Sequence, residues 1–204
     1  PLSGCMDKHI DYYFATISPF MYLGHERLVA IARRHGAAIA VKPVNFGEIF
    51  PVSGGLPLSK RAPQRQAYRL LELKRWSEHL GIALNLQPRF FPVNGDRAAH
   101  WILAAGERDP THALSLTGAV GKAIWREERD VSDETTLAEL ARELKLDAAA
   151  LAERAASAEV AARYKALTDE AIRRAVFGAP TYIYRDELFW GQDRLDFLDR
   201  ALAK

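Results

Sequence analysis

Apolar and polar positions recur along this chain with two different periods, and the switches between them mark its elements. Ile10 to Phe14 is a short run of mostly β-branched or aromatic residues and predicts a first strand. From Pro19 to His35 the period lengthens to that of a helix, with Met21, Leu28, Ile31 and Ala32 on one stripe. Arg33, Arg34 and His35 suit the negative end of that helix, and Gly36 its stop. Ile39 to Val44, interrupted by Pro43, predicts a second strand, so the chain opens as a right-handed βαβ unit.

From Asn45 to Lys60 no period holds, and Pro51, Gly54, Gly55 and Pro57 predict an irregular loop. Pro63 opens a helix to about Leu80, with Leu70, Leu73, Trp76 and Leu80 apolar and Gly81 as its stop. Arg65, Arg69, Lys74 and Arg75 read mostly as its solvated face. Gln87 to Val93 is rich in Pro and Phe and predicts an extended connector over the core. Helices follow over about Asp96–Glu107 and Thr111–Arg129, then after Asp133, from Asp147, and from Ser157 to near Gly178. The last segment changes period again. Thr181–Tyr184 and Glu187–Trp190 predict two strands about the turn Arg185-Asp186, and Asp193 is expected to cap a final helix. Neither end of the chain can bury both faces of a sheet alone. The expected architecture is therefore α/β: one domain from residues 7–62 and 178–204, split by an all-helical insertion over 63–177.

Composition narrows the function classes. The chain has 204 residues and a formal charge of +2, which points away from general nucleic-acid or anionic-membrane binding. No run has the length and apolarity of a membrane span, and no basic flank precedes an apolar signal segment, so a cytoplasmic protein is expected. The single cysteine, Cys5, rules out an internal disulfide and any CxxC motif. It falls in residues 1–6, which read as a leader ahead of the fold.

Ser18 stands between the first strand and the first helix, followed by Pro19, which suits the first helical position. A serine there is a good N-cap and nothing more is required of it. The same place also offers unpaired N–H groups and the positive end of a dipole, which favour a phosphate, a carboxylate or a thiolate. Two later stretches bear on the choice: Gly178-Ala179-Pro180-Thr181 before the late hairpin, and Trp190-Gly191-Gln192-Asp193-Arg194 at the last turn. Together with Ser18-Pro19-Phe20-Met21 and the helical insertion, they resemble the 2-hydroxychromene-2-carboxylate isomerase family. That family has the thioredoxin-like fold of the DsbA branch and is close kin to kappa-class glutathione transferases. Ser18 occupies the position where redox members begin Cys-Pro-x-Cys, and both cysteines are absent.

The resemblance implies glutathione as cofactor, with Ser18 stabilising its thiolate. It implies a cis Pro180, with the backbone of Ala179 pairing with the cysteinyl part. It places Asp193 on the γ-glutamyl ammonium, and the backbone of Gln192 to Arg194 on the γ-glutamyl carboxylate. Kappa relatives hold the glycine carboxylate with an Asn and a Lys, where this chain has Gly55 and Arg65. Lys60, Arg61 and Arg65 are the candidate cations. Phe20, Tyr22, Asn45, Phe46, Phe50 and Tyr68 are candidate walls for an aromatic-derived substrate. The resemblance also implies a homodimer, and Trp101 and Trp125 suit either an interface or a core. No metal is implied. The leading expectation is a glutathione-dependent cis-trans isomerase of aromatic catabolism. A kappa-type transferase or peroxidase and a non-catalytic thioredoxin-like binding module stand as alternatives. Disulfide exchange by a dithiol has no residues to run on.

Overall fold

In the computed structural model, which describes residues 7–204, β1 (His9–Phe14) decides the layering. Cys5 and the rest of the leader lie outside the described residues. Side chains of a strand alternate between faces. Ile10, Tyr12 and Phe14 therefore enter one apolar cluster and Tyr13 another. α1 (Pro19–Arg34) follows, then β2 (Ala38–Pro43), parallel to β1 with Phe14 opposite Pro43. The proline ends that strand and does not interrupt it. At the far end of the chain β3 (Thr181–Tyr184) pairs antiparallel with β1, and β4 (Glu187–Trp190) with β3. The sheet order is β2-β1-β3-β4. Arg185 and Asp186 have φ of 50° and 62°, the left-handed conformation that a two-residue hairpin turn demands.

The expected irregular segment after β2 contains a helix. α2 (Phe46–Ser53) starts at Asn45, whose side chain accepts from the Gly47 amide at 2.9 Å, and stops at Gly54 with φ 82°. Phe46 and Ile49 bury in one cluster with Tyr13 of β1 and Ala171 from further along the chain, and this burial outweighs the one helical bond that Pro51 forfeits. A short 3-10 turn, Leu58–Lys60, leads into α3 (Pro63–Leu80). The connector before α4 (Asp96–Gly106) is extended as expected, with Phe91 packed on the core. α5 (Pro110–Trp125) takes Pro110 as its first residue, so the proline starts the helix there as well as ending what precedes it. α6 (Glu134–Glu143), α7 (Ala148–Ala155) and α8 (Ala158–Arg173) are capped by Asp133, Asp147 and Ser157. The chain ends in α9 (Leu195–Leu202).

The sheet lies between two helical layers. Tyr12, Phe14, Tyr182 and Tyr184 face a large core with α1, α4, α5 and α9, where Trp101 and Trp125 are fully buried. Both tryptophans are thus core residues. Tyr13 and Ile183 face the smaller core under α2 and α8. No described helix is long and apolar enough to cross a membrane.

A polar network seals the smaller face. Arg174 meets Asp11 at 2.6 Å, Lys42 lies 3.2 Å from Asp11 and 2.9 Å from Glu170, and the Tyr13 hydroxyl donates to Glu170 at 2.5 Å. Burial pushes the Asp11 and Glu170 carboxyls up, but these partners outweigh it and hold both below their ordinary range. A carboxyl whose folded pKa is depressed stabilises the fold above its unfolded pKa, and that stability is lost as pH falls through the folded value. Urea midpoints measured against pH are therefore expected to decline from about pH 4 downward. Asp11→Asn should cost about 1–3 kcal/mol at neutral pH, because it strips a buried charge pair of one member, and should flatten that decline.

Candidate active site

Ser18 is the N-cap of α1, with φ −72° and ψ 125°. Its Oγ accepts from the Met21 amide at 3.2 Å, its carbonyl accepts from the Tyr22 amide, and its own amide donates to the Ala15 carbonyl at 3.1 Å. Among the described residues, none accepts the hydroxyl hydrogen, so Ser18 keeps one donor for a ligand. The cap reading and the functional reading are compatible, because the two bonds use different sides of one oxygen. The preceding peptide is held as well. The buried indole of Trp125 donates to the Ile17 carbonyl at 3.2 Å, and Thr16 Oγ1 donates to the Gly95 carbonyl at 2.9 Å. The insertion thus grips the strand–helix joint from one side.

The late loop lies beside the end of β1, where Thr181 pairs with Tyr13. The Ala179–Pro180 bond is cis, and the Pro180 carbonyl accepts from the Gly191 amide at 2.9 Å. Ala179 precedes β3, and its N–H and C=O pair with no described residue. They form a short unpaired edge suited to one more extended peptide. Gly178 is required by its neighbour: a Cβ there would lie 2.3 Å from the Trp190 Nε1.

Asp193 does not cap α9. Gln192–Arg194 is a 3-10 turn, α9 begins only at Leu195, and neither start has a side-chain cap bond. The left-handed Gly191, with φ 98°, lets the Asp193 carboxylate fold back over it, so that a Cβ on Gly191 would sit 2.3 Å from Oδ1. The exposed carboxylate is left free of capping duty. Gln192 is buried. Arg27 donates to its side-chain oxygen, and also to its carbonyl at 3.2 Å. Arg194 folds away onto Trp190, donating to the Trp190 carbonyl at 3.1 Å.

The other predicted residues scatter. Phe46 belongs to the smaller core and Asn45 caps α2, so neither side chain is free to form a wall. Tyr68 is exposed on α3, and Phe20 is half-buried in the first turn of α1. Tyr22 ties α1 to the connector by donating to the Ala83 carbonyl at 2.6 Å. Lys60 and Arg65 are exposed at the start of the α3 approach. Gly55 lies against Phe50, whose ring would stand 2.4 Å from any Cβ, so the Asn of kappa relatives does not fit there.

Arg69 departs furthest from expectation. Read as solvated, it is half-buried over the rings of Phe91 and Trp125, 5.6 and 5.9 Å from their centroids. Burial and the neighbouring Arg61 cation pull its pKa down to about 10. α3 therefore crosses near Ser18, and one turn further on Asp193 joins burial in raising the Glu72 carboxyl. Helical spacing carried a signal for this, because Arg69 lies four residues before Leu73 and seven before Trp76, in line with the apolar face of α3.

A hydroxyl donor at a helix N-terminus, an unpaired peptide edge and an exposed carboxylate together suit a short peptide carrying an anionic centre. The DSBA-like thioredoxin domain family matches residues 9–203. The chain is 34% identical to the 2-hydroxychromene-2-carboxylate isomerase of Sphingobium xenophagum, over 97% of this chain and 99% of that one. It is 27% identical to glutathione S-transferase kappa 2 of Caenorhabditis elegans, over 97% and 92% of the two chains. A solved structure of a 2-hydroxychromene-2-carboxylate isomerase superposes with a TM-score of 0.81 at 29% identity, covering 96% of this chain and 94% of the other.

The contact between α1 and the late turn can be tested directly. A Cβ on Gly24 would stand 2.7 Å from the Gln192 Cβ and 3.0 Å from the Tyr182 hydroxyl. A Cβ on this turn cannot rotate away as a flexible side chain would. Gly24→Ala is expected to destabilise by about 1–3 kcal/mol through overpacking, exceeding the gain in helix propensity. Chemical unfolding measures it, and a stabilised variant would show that the turn yields freely.

Proposed function

The chain belongs to the 2-hydroxychromene-2-carboxylate isomerase family within the DSBA-like thioredoxin fold, and from that premise we propose that it is a glutathione-dependent cis-trans isomerase of this type. The observation that carries the reading is Ser18: a hydroxyl with an unclaimed hydrogen at the positive end of α1, where redox relatives would carry a thiol. The similarity to kappa-class transferases supports glutathione as the molecule that brings the sulfur.

The described residues fit glutathione. Ala179 offers its unpaired N–H and C=O to the cysteinyl unit, and Asp193 offers a carboxylate to the γ-glutamyl ammonium. Lys60 and Arg65 are the exposed cations for the glycine carboxylate. Glutathione, when bound, supplies a thiol whose reversible addition to a conjugated double bond permits rotation about that bond. The role of Ser18 is to donate its hydroxyl hydrogen toward the sulfur, which favours the charged form together with the helix dipole. The Trp125–Ile17 bond fixes the bearing of that hydroxyl.

Turnover of 2-hydroxychromene-2-carboxylate with glutathione far below the substrate concentration tests the assignment. Free thiol is expected to be unchanged after many turnovers. Steady thiol loss would identify a transferase or peroxidase instead. Ser18→Ala removes a hydrogen bond to a charged sulfur, so kcat is expected to fall about tenfold to a hundredfold. The pKa of bound thiol, followed by thiolate absorbance, should rise by about 1–2 units in the same variant. Unchanged turnover and unchanged thiol titration would reduce Ser18 to a cap.

A further inference from the structure

Most partly buried arginines of the described chain have acceptors. Arg27 has Gln192, Arg129 has Glu139 and Glu143, and Arg174 has Asp11 and Tyr13. Arg69 has none among the described residues. Its guanidinium lies over Phe91 and Trp125, and the charged group that bears on it is another cation, Arg61. Arg61 in turn is influenced by Arg65. Three positive groups therefore converge along one flank of α3 without a counter-ion.

A guanidinium carries five donors, and those of Arg69 are taken up by no described residue while remaining open to solvent, since the side chain is only half-buried. Stacking on two rings is worth about 0.5–2 kcal/mol and fixes the plane of the group. A guanidinium held flat with a free donor edge is suited to a planar anion, which it takes in two parallel bonds. Position identifies which anion. The indole under Arg69 is the one that donates to the Ile17 carbonyl, so the cation sits beside the peptide that leads into Ser18. Phe91, half-exposed and 4.7 Å from Trp125 between centroids, sets an aromatic surface next to the charge. A flat ring bearing a carboxylate matches both. The glycine carboxylate of glutathione has no ring to place there, and exposed Lys60 and Arg65 stand nearer the chain's open surface for it.

We propose that Arg69 is the anchor for the carboxylate of the ring substrate, with Phe91 as the surface against which the ring lies. This rests on the isomerase reading for the identity of the acid. It makes Arg69 a substrate-binding residue that sets KM and leaves the thiolate chemistry at Ser18 to other groups.

Chromone-2-carboxylate, a flat ring acid that does not isomerise, and its neutral carboxamide serve as probes. Each is titrated calorimetrically into the wild type, Arg69→Lys and Arg69→Met, with and without saturating glutathione. The acid is expected to bind Arg69→Met about tenfold to a hundredfold more weakly than the wild type, with Arg69→Lys between them. The carboxamide should bind wild type and Arg69→Met alike, and glutathione should bind all three proteins alike. Thermal unfolding of Arg69→Met is expected at or above the wild-type temperature, because an unpaired cation is removed. Equal affinity of the acid for wild type and Arg69→Met overturns the assignment. So does a loss that appears in the glutathione titration instead, which would place the glycine carboxylate on Arg69. A wild type that fails to isomerise 2-hydroxychromene-2-carboxylate removes the functional reading alone, and the acid titrations still decide the role of Arg69.

Discussion

Everything at the candidate site depends on how the peptide leading from β1 into α1 is held. Three of its polar contacts set the Ser18 hydroxyl. The Ser18 amide turns back to Ala15, the Met21 amide reaches the Ser18 oxygen, and the Trp125 indole reaches across from the insertion to the Ile17 carbonyl. The first two are local and any capped helix has their like. The third is not: it commits Trp125, a fully buried tryptophan of the helical insertion, to positioning one carbonyl at the tip of the sheet. The large core is continuous from β1 through α5, so that indole has no room to shift.

This dependence explains which features were legible in the sequence. The strands, α1 and the late hairpin follow from local period and turn chemistry, and the structure places them where those signals lie. The cis bond at Pro180 agrees with the family landmark around it. α2 was hidden because Pro51, Gly54 and Gly55 read as breakers, while the evidence for it, the Asn45 cap and the burial of Phe46 and Ile49, is partly tertiary. The expected cap by Asp193 failed for a related reason. An aspartate before an apolar stripe predicts a helix start, but a left-handed Gly191 inserts a 3-10 turn first and sends the carboxylate elsewhere.

Arg69 illustrates the limit most sharply. Along α3 Leu70, Leu73, Trp76 and Leu80 make a broad apolar face, and the cations around it are assigned to water by residue type, although Arg69, four residues before Leu73 and seven before Trp76, falls on that face. Phe91 of the connector then packs against Arg69 and half-buries it. The spacing of α3 sets Arg69 in line with Leu73, Trp76 and Leu80 and leaves Lys74 off that line, but it cannot show which rings cover the guanidinium. One of those rings belongs to a segment that sequence reading describes only as extended.

The contact between Gly24 and Gln192 has a further consequence. Ser18 and Gly24 belong to the same rigid helix and are separated by less than two turns, about 9 Å along its axis. The Gln192 turn rests on the second and is clamped by Arg27 from the same helix. α1 therefore acts as a ruler whose two marks are the hydroxyl and the acidic turn. An extended chain of two to three residues covers about 7–10 Å, so the short γ-linked peptide proposed as cofactor has the length to span the marks. A bare thiol of the same acidity reaches only one of them.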